Sequence, residues 1–154
     1  MAVKGDRGHV DSDISFFINQ TAEPGGIVSL TTFGSGASMD NGSAVVGYAT
    51  SASGALPLGF LMNWVVNLDL TRQKLNPYRH EQQVGSKCLI YTKGTVVTDM
   101  ITSGITVSAK DKAYLGADGR ITNVNTGAAA SPQVGIFLSG KDQDGFAKVS
   151  INLP

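Results

Sequence analysis

Three dipeptides, Asn41-Gly42, Asp118-Gly119 and Asp144-Gly145, punctuate short apolar runs in this chain and constrain its fold more than any other feature. Each supplies two residues that tolerate φ > 0, which a tight hairpin needs because only such turns match the twist of the strands they join. Three of them within 154 residues imply hairpins throughout, and no stretch of ten residues reads as an amphipathic helix. The composition agrees. Val and Thr together number 26, Asp outnumbers Glu ten to two, and there are 19 glycines, which is strand and turn chemistry. The expected fold is mainly β, a small antiparallel β-barrel or sandwich built from hairpins, with an N-terminal arm and long loops. Helix is expected only as short turns near residues 11–20 or 71–84.

The strands can be placed from alternation and punctuation. Ile27 to Thr31 alternates, Ser43 to Thr50 returns after the Asn-Gly turn, and Leu56 to Met62 opens with an edge-type proline, Pro57. Trp64 to Leu70 continues that strand, with Val66, Leu68 and Leu70 on one face. In the second half, Lys87 to Tyr91 and Thr95 to Thr98 flank Lys93-Gly94. Lys112 to Gly116 and Arg120 to Val124 flank Asp118-Gly119, and Gln133 to Ser139 and Phe146 to Ile151 flank Asp144-Gly145. Leu58-Gly59-Phe60-Leu61 is echoed by Val134-Gly135-Ile136-Phe137-Leu138. A glycine inside a strand marks a bulge or bend, so both are expected at corners of the sheet.

Residues 1–26 read as an N-terminal arm or first short element, in which Asp11 or Asp13 could cap a helical turn. The arm either lies as an edge strand on the body or docks elsewhere. Residues 27–154 read as a single β domain, divisible into two small lobes, 27–70 and 87–154, joined by a basic segment, 71–86. The charged side chains of residues 71–94 sum to +4, with Arg72, Lys74, Arg79, Lys87 and Lys93 against Glu81, while the whole chain is neutral. That segment is either a solvated loop or a docking surface for an acidic partner.

The usual catalytic constellations are missing. There is no phosphate-binding loop, no Gly-x-Ser-x-Gly elbow, and the two histidines, His9 and His80, complete no metal motif. Asp142-x-Asp144-Gly145 imitates the middle of a calcium loop but lacks the preceding oxygens and the closing Glu, so it reads as a hairpin turn. Cys88, the single cysteine, sits among apolar neighbours and reads as a buried, inert thiol. A non-enzyme without cofactor or metal is expected. With neither a signal peptide nor a run of ~20 apolar residues, a cytosolic setting is expected and no membrane partner. The balanced charge argues against nucleic acid as a direct partner.

The stretch from Val107 to Leu153 contains Lys112-Ala113-Tyr114-Leu115-Gly116-Ala117-Asp118-Gly119, then Val134-Gly135-Ile136-Phe137-Leu138, then Asp144-Gly145-Phe146-Ala147-Lys148-Val149. It resembles the capsid cement or head decoration proteins of tailed bacteriophages, whose pattern is strand, Asp-Gly turn, strand, small-residue loop, Val-Gly strand, Asp-Gly turn and a final Val-rich strand. The middle, Asn67 to Arg72 through Gly94 to Asp99, is similar to minor head proteins of phages, including those of cyanobacteria. The resemblance implies a non-catalytic virion protein, made in the host cytoplasm, that binds the outer surface of the phage head and stabilises it. Its partners would be the major capsid protein and further copies of itself, a trimer being favoured over a dimer. The alternative is a virion-surface binding module, such as a head-fibre base recognising host glycans, which would require clustered exposed aromatics.

Candidate capsid or subunit contacts follow from two arguments. Phe16 and Phe17 are adjacent, so in an extended strand they point to opposite faces and one meets water unless a partner covers it; Ile18 continues the cluster. Arg72, Lys74 and Arg79, with Tyr78 among them, carry the local positive excess that an acidic capsid exterior would attract.

Overall fold

The computed structural model describes residues 3–4, 11–13, 16–32, 44–62, 84–85, 87–125 and 131–153. The described residues are mainly β: strand accounts for 48% of them and helix for 3%. Among the described residues, eleven strands form one sheet: β1 (Val3–Lys4), β2 (Asp11–Asp13), β3 (Phe17–Ile18), β4 (Ile27–Thr32), β5 (Val45–Gly47), β6 (Pro57–Met62), β7 (Leu89–Thr98), β8 (Lys112–Leu115), β9 (Ile121–Thr122), β10 (Gln133–Phe137) and β11 (Ala147–Asn152). The hydrogen-bonded path runs β3-β5-β4-β6-β7-β11-β10-β8-β9. It is not closed, so the fold takes the sandwich-like form. Both free ends nevertheless curl toward the shared strand: Phe17 bridges to Lys87, just before β7, and Ile121 bridges to Ile101, just after it.

β7 organises the molecule. Residues 89–91 pair with β6 and residues 93–98 pair with β11. β2 pairs with residues 90, 91 and 93, and β1 with 97 and 98. A residue in a ladder has one neighbour on each side, so β6 and β11 must share one edge of β7, and β1 and β2 must share the other. The N-terminal arm therefore lies as an edge strand on the body. Asp11 and Asp13 belong to β2 and cap no helical turn, because the edge of β7 offers a row of backbone donors and acceptors that an extended segment satisfies.

Lys93-Gly94 is not a turn but the middle of β7, held in line by β11 pairing from Lys93 to Thr98. The misreading has a physical source. Leu89 and Tyr91 pack against the larger core while Ile90 faces the smaller one, yet beyond Thr92 it is the even-numbered Val96 that enters the larger core. The ladder to β2 slips by one residue at Thr92, and a bulge of this kind inverts the faces of everything that follows. A strand whose apolar phase flips midway reads as two strands with a break between them.

The same device recurs at the two glycines of the sequence echo. The β4–β6 ladder slips at Leu58 and the β8–β10 ladder slips at Val134, each the residue before a glycine. The slips explain why Leu58 and Leu61, three apart, meet one core, and why Val134 and Phe137, also three apart, meet the other. A β-carbon on Gly59 would lie 2.2 Å from Ile90 Cγ2, and one on Gly135 only 1.9 Å from the backbone oxygen of Ser150.

Two apolar clusters result. The larger gathers Ile27, Phe60, Val96, Leu115, Ile121, Phe137, Val149 and Ile151 with their neighbours, and so draws on both halves of the chain. The smaller gathers Ile18, Ala22, Val28, Val46, Leu61, Cys88 and Ile90, with Phe16, Tyr48 and Leu58 packed on it. Thr98, a buried polar residue, has its Oγ1 donating to Gly25 O at 2.6 Å and accepting from Met100 N at 3.1 Å. Ser29 Oγ, also buried, has no hydrogen-bond partner.

The Asp-Gly hairpins form where expected. Asp118 and Gly119 both take positive φ, 53° and 72°, and Arg120 N closes the turn on Ala117 O at 3.0 Å. In the other, Asp142 Oδ1 accepts from Asp144 N and Phe146 N, so that carboxylate serves the turn. Asn41-Gly42, and the expected strand from Trp64 to Leu70, lie outside the described residues. No helix among the described residues is long and apolar enough to cross a membrane.

Candidate functional site

The most distinctive surface is the outward face of β7, β11, β10 and β8. Their inward residues, among them Val96, Val149, Phe137 and Ala113, are core, so alternation sends the intervening residues outward. Across the sheet, Lys112 is paired with Ile136, Ile136 with Ser150, and Ser150 with Thr95. In the next row Leu138 N donates to Lys148 O at 2.8 Å, and Lys148 is paired with Val97, which is in register with Lys4.

Of the five large hydrophobic side chains that the described residues expose, Ile136 at 39% and Leu138 at 40% are the two on one strand face, two positions apart. Lys112, exposed, stands beside the first; Lys148, half-buried, stands beside the second. At the margin Lys93 has Asp11 of β2 directly across from it. No described strand residue on β7, β8, β10 or β11 is acidic. Ile136, on a strand hydrogen-bonded on both sides, and Leu138, just past the end of that strand and tied to Lys148, make a chemically mixed patch with the neighbouring lysines.

The loop entering β8 is held by Asp111. Its carboxylate accepts from Asn123 Nδ2 at 3.0 Å and from Ser108 N at 2.9 Å. These bonds, the Asn123 side chain first, hold it below the usual carboxylate range and keep it ionised.

Grooves elsewhere on the described surface include two lined by polar residues. One, of about 330 Å³, is lined by small and hydroxylated residues including Thr50, Ser51, Ser53, Thr102, Thr122 and Ser131. The other, of about 360 Å³, brings Glu23 and Asp99 together with Arg120, Gln20 and Tyr48. Much of its polar lining serves the fold. Arg120 Nη1 donates to Ile101 O at 3.3 Å; the Tyr48 hydroxyl donates to Glu23 O at 2.5 Å and accepts from Gly26 N at 3.2 Å. Burial raises the Tyr48 pKa above its ordinary value of 10.0, so the phenol stays neutral.

The contacts expected from sequence separate. Ile18 is 1% exposed and belongs to the smaller core, so in this fold its side chain faces inward. Phe16 and Phe17 are both half-buried: Phe16 packs on that core, and the Phe17 ring lies 5.8 Å from Lys87 Nζ. The chain's own body thus covers part of both rings. Arg72, Lys74, Tyr78 and Arg79 lie outside the described residues. Cys88 is buried, its Sγ 3.3 Å from Phe16 O, and burial pushes its thiol up to about 12.

Sequence reasoning did not single out Ile136 and Leu138 as exposed apolar side chains, although a signal was present. In Val134-Gly135-Ile136-Phe137-Leu138 both alternation phases are apolar, so one of them must face away from the core. No family model matches the chain, and no curated protein matches it.

Proposed function

We propose that this chain is a non-catalytic structural protein of a tailed-phage head, a cement or decoration protein that binds the outer surface of the major capsid protein shell and stabilises it. The observation that carries the reading is the order of the C-terminal elements: β8, the Asp118-Gly119 turn, β9, the β10 strand with its Val134-Gly135 bulge, the Asp144-Gly145 turn and β11. It is the order that the resemblance to decoration proteins implies. A rigid β body with a mixed apolar and basic outer face suits the task, which asks for surface complementarity and no chemistry. Free copies must stay dissolved and then add buried interface across joints between capsid subunits. A trimer fits such sites best, because identical patches on linked copies bind together with an effective concentration that single copies lack.

The test is direct. Purified chain is mixed with expanded, DNA-free heads of the phage that encodes it, pelleted, and the heads are heated. Co-sedimentation at a fixed copy number and a raised disruption temperature are expected. Chain left in the supernatant with an unchanged disruption temperature refutes the reading.

A further inference from the structure

We propose that the peptide link between Asp144 and Gly145 is a site of spontaneous isomerisation, at which the folded chain slowly gains an isoaspartate, and that the fold protects the same dipeptide at Asp118-Gly119. The chemistry is independent of any capsid. Glycine has no β-carbon to obstruct the approach of its own nitrogen to the preceding side chain. The Gly nitrogen attacks the Asp Cγ, the protonated carboxyl loses its hydroxyl as water, and a cyclic succinimide closes. Water then opens the ring at either carbonyl. Opening at the side-chain carbonyl restores aspartate; opening at the main-chain carbonyl routes the backbone through the side chain, with an extra methylene in the chain and a free α-carboxylate. The water that leaves is balanced by the water that enters, so no co-reactant is needed.

A folded chain reacts in this way only where the link can rotate toward ring closure and where the lengthened product fits. Asp118-Gly119 meets neither condition. Asp118 is exposed but Gly119 is buried, and a β-carbon on Gly119 would lie 2.3 Å from Tyr48 Cδ1 and 2.9 Å from Ile27 O. Around it Gly116 N donates to Arg120 O at 2.7 Å, Arg120 N to Ala117 O at 3.0 Å, and Ile121 N to Met100 O at 2.9 Å. Turning this link requires the hairpin to part from Tyr48 and from β4, which is an opening of the body and not of a loop tip.

Asp144-Gly145 meets both. Residues 142–144 are exposed, and a β-carbon on Gly145 would find nothing within 4 Å. Asp144 N and Phe146 N both donate to Asp142 Oδ1, so the carboxylate that holds the turn is not the one that reacts. Gly145 N donates to Asp142 O at 3.1 Å, a bond inside the turn that local fraying breaks without disturbing the core. An exposed loop tip also accommodates added backbone, so the product stays folded.

Trypsin releases the two sites on separate peptides, 113–120 and 142–148. The folded chain, and the same chain unfolded in guanidinium chloride, are kept for several weeks at neutral pH in water enriched in heavy oxygen, which ring opening incorporates. Mass spectrometry with fragmentation that separates Asp144 from Asp142 then locates isoaspartate and label. Each site's folded rate is divided by its own unfolded rate, so that the influence of neighbouring residues cancels. Folding is expected to slow Asp118 about tenfold or more and Asp144 by less than about twofold. Asp144→Glu, whose longer side chain does not close the same ring, should clear the label from peptide 142–148. Equal slowing of the two sites, or greater slowing at Asp144, overturns the proposal. An aged fraction that carries isoaspartate at position 144 and has lost its β-sheet circular dichroism overturns the claim that the exposed turn absorbs the change.

Discussion

Replacing Gly135 by Ala should be among the most damaging single-atom changes available to this fold. The added β-carbon would sit 1.9 Å from the Ser150 carbonyl oxygen, 2.9 Å from its carbon and 3.2 Å from Ile151 Cα. All three are backbone atoms of the adjoining strand, so no side chain can swing aside. Restoring ordinary contact requires β10 and β11 to part by about 1.5 Å, which carries the ladder bonds around the Gly135–Ile151 pair beyond hydrogen-bonding range. Two such bonds at about 1 kcal/mol each, with overpacking strain of about 1–3 kcal/mol, give a loss of roughly 3–5 kcal/mol. A suitable control is Gly54→Ala, which meets nothing within 4 Å and bears only the strain of φ +71°, about 1 kcal/mol. Gly59→Ala should fall between them, because its nearest neighbour is the Ile90 side chain. In urea unfolding with a slope near 2 kcal/mol/M, the Gly135 variant should lose about 2 M in midpoint and the Gly54 variant about 0.5 M. Equal midpoints for these two variants would refute the claim that strand approach, rather than backbone freedom, keeps glycine at Gly135.

Cys88 is raised from 9.0 to about 12 by burial, so the folded chain holds this thiol protonated; its contribution is fully present below pH 9 and is lost as pH rises from 9 toward 12. Tyr48 is raised in the same direction, so urea midpoints should decline above pH 9, and Cys88→Ala should lessen the decline; midpoints constant from pH 8 to 11 would contradict this. Ser29→Ala should stabilise the chain by about 1 kcal/mol, since it removes a buried hydroxyl that has no partner, and a lower midpoint would show that the hydroxyl is engaged. Deleting residues 1–13 strips β1 and β2 from one edge of β7 and should produce concentration-dependent self-association in sedimentation; a truncated chain that stays as dispersed as its parent would argue that this edge is covered by other means.

What could be read from the sequence divides along physical lines. The Asp118-Gly119 and Asp144-Gly145 hairpins and the bulges beside Gly59 and Gly135 were legible because each is a local requirement of backbone geometry. β7 was not, because the slip at Thr92 inverts its apolar phase and imitates a break at Lys93-Gly94. Asp11 and Asp13 suggested a helix cap on local chemistry alone, whereas pairing with a strand some eighty residues away decided their conformation. At the surface, the half-burial of Phe16 and Phe17 depends on what the body places over them, which alternation cannot supply. Ile136 and Leu138 were readable in principle, since five consecutive core-like residues on one strand cannot all point inward.

The pairing of β7 also fixes how the molecule responds to force. β1 enters at the Thr98 end of β7, and β11 leaves at the Lys93 end, where Leu153 N is tied to Thr92 O at 2.9 Å. The two segments run side by side in the same direction along opposite edges of one strand. A pull on Val3 and Leu153 therefore draws β1 lengthwise one way along β7 and β11 the other way. The six paired residues of β11 then share the load in shear, instead of parting one after another as a zipper does. β7 becomes a tie-bar, and tension between the chain's two ends is borne across it before the curled halves on either side are disturbed.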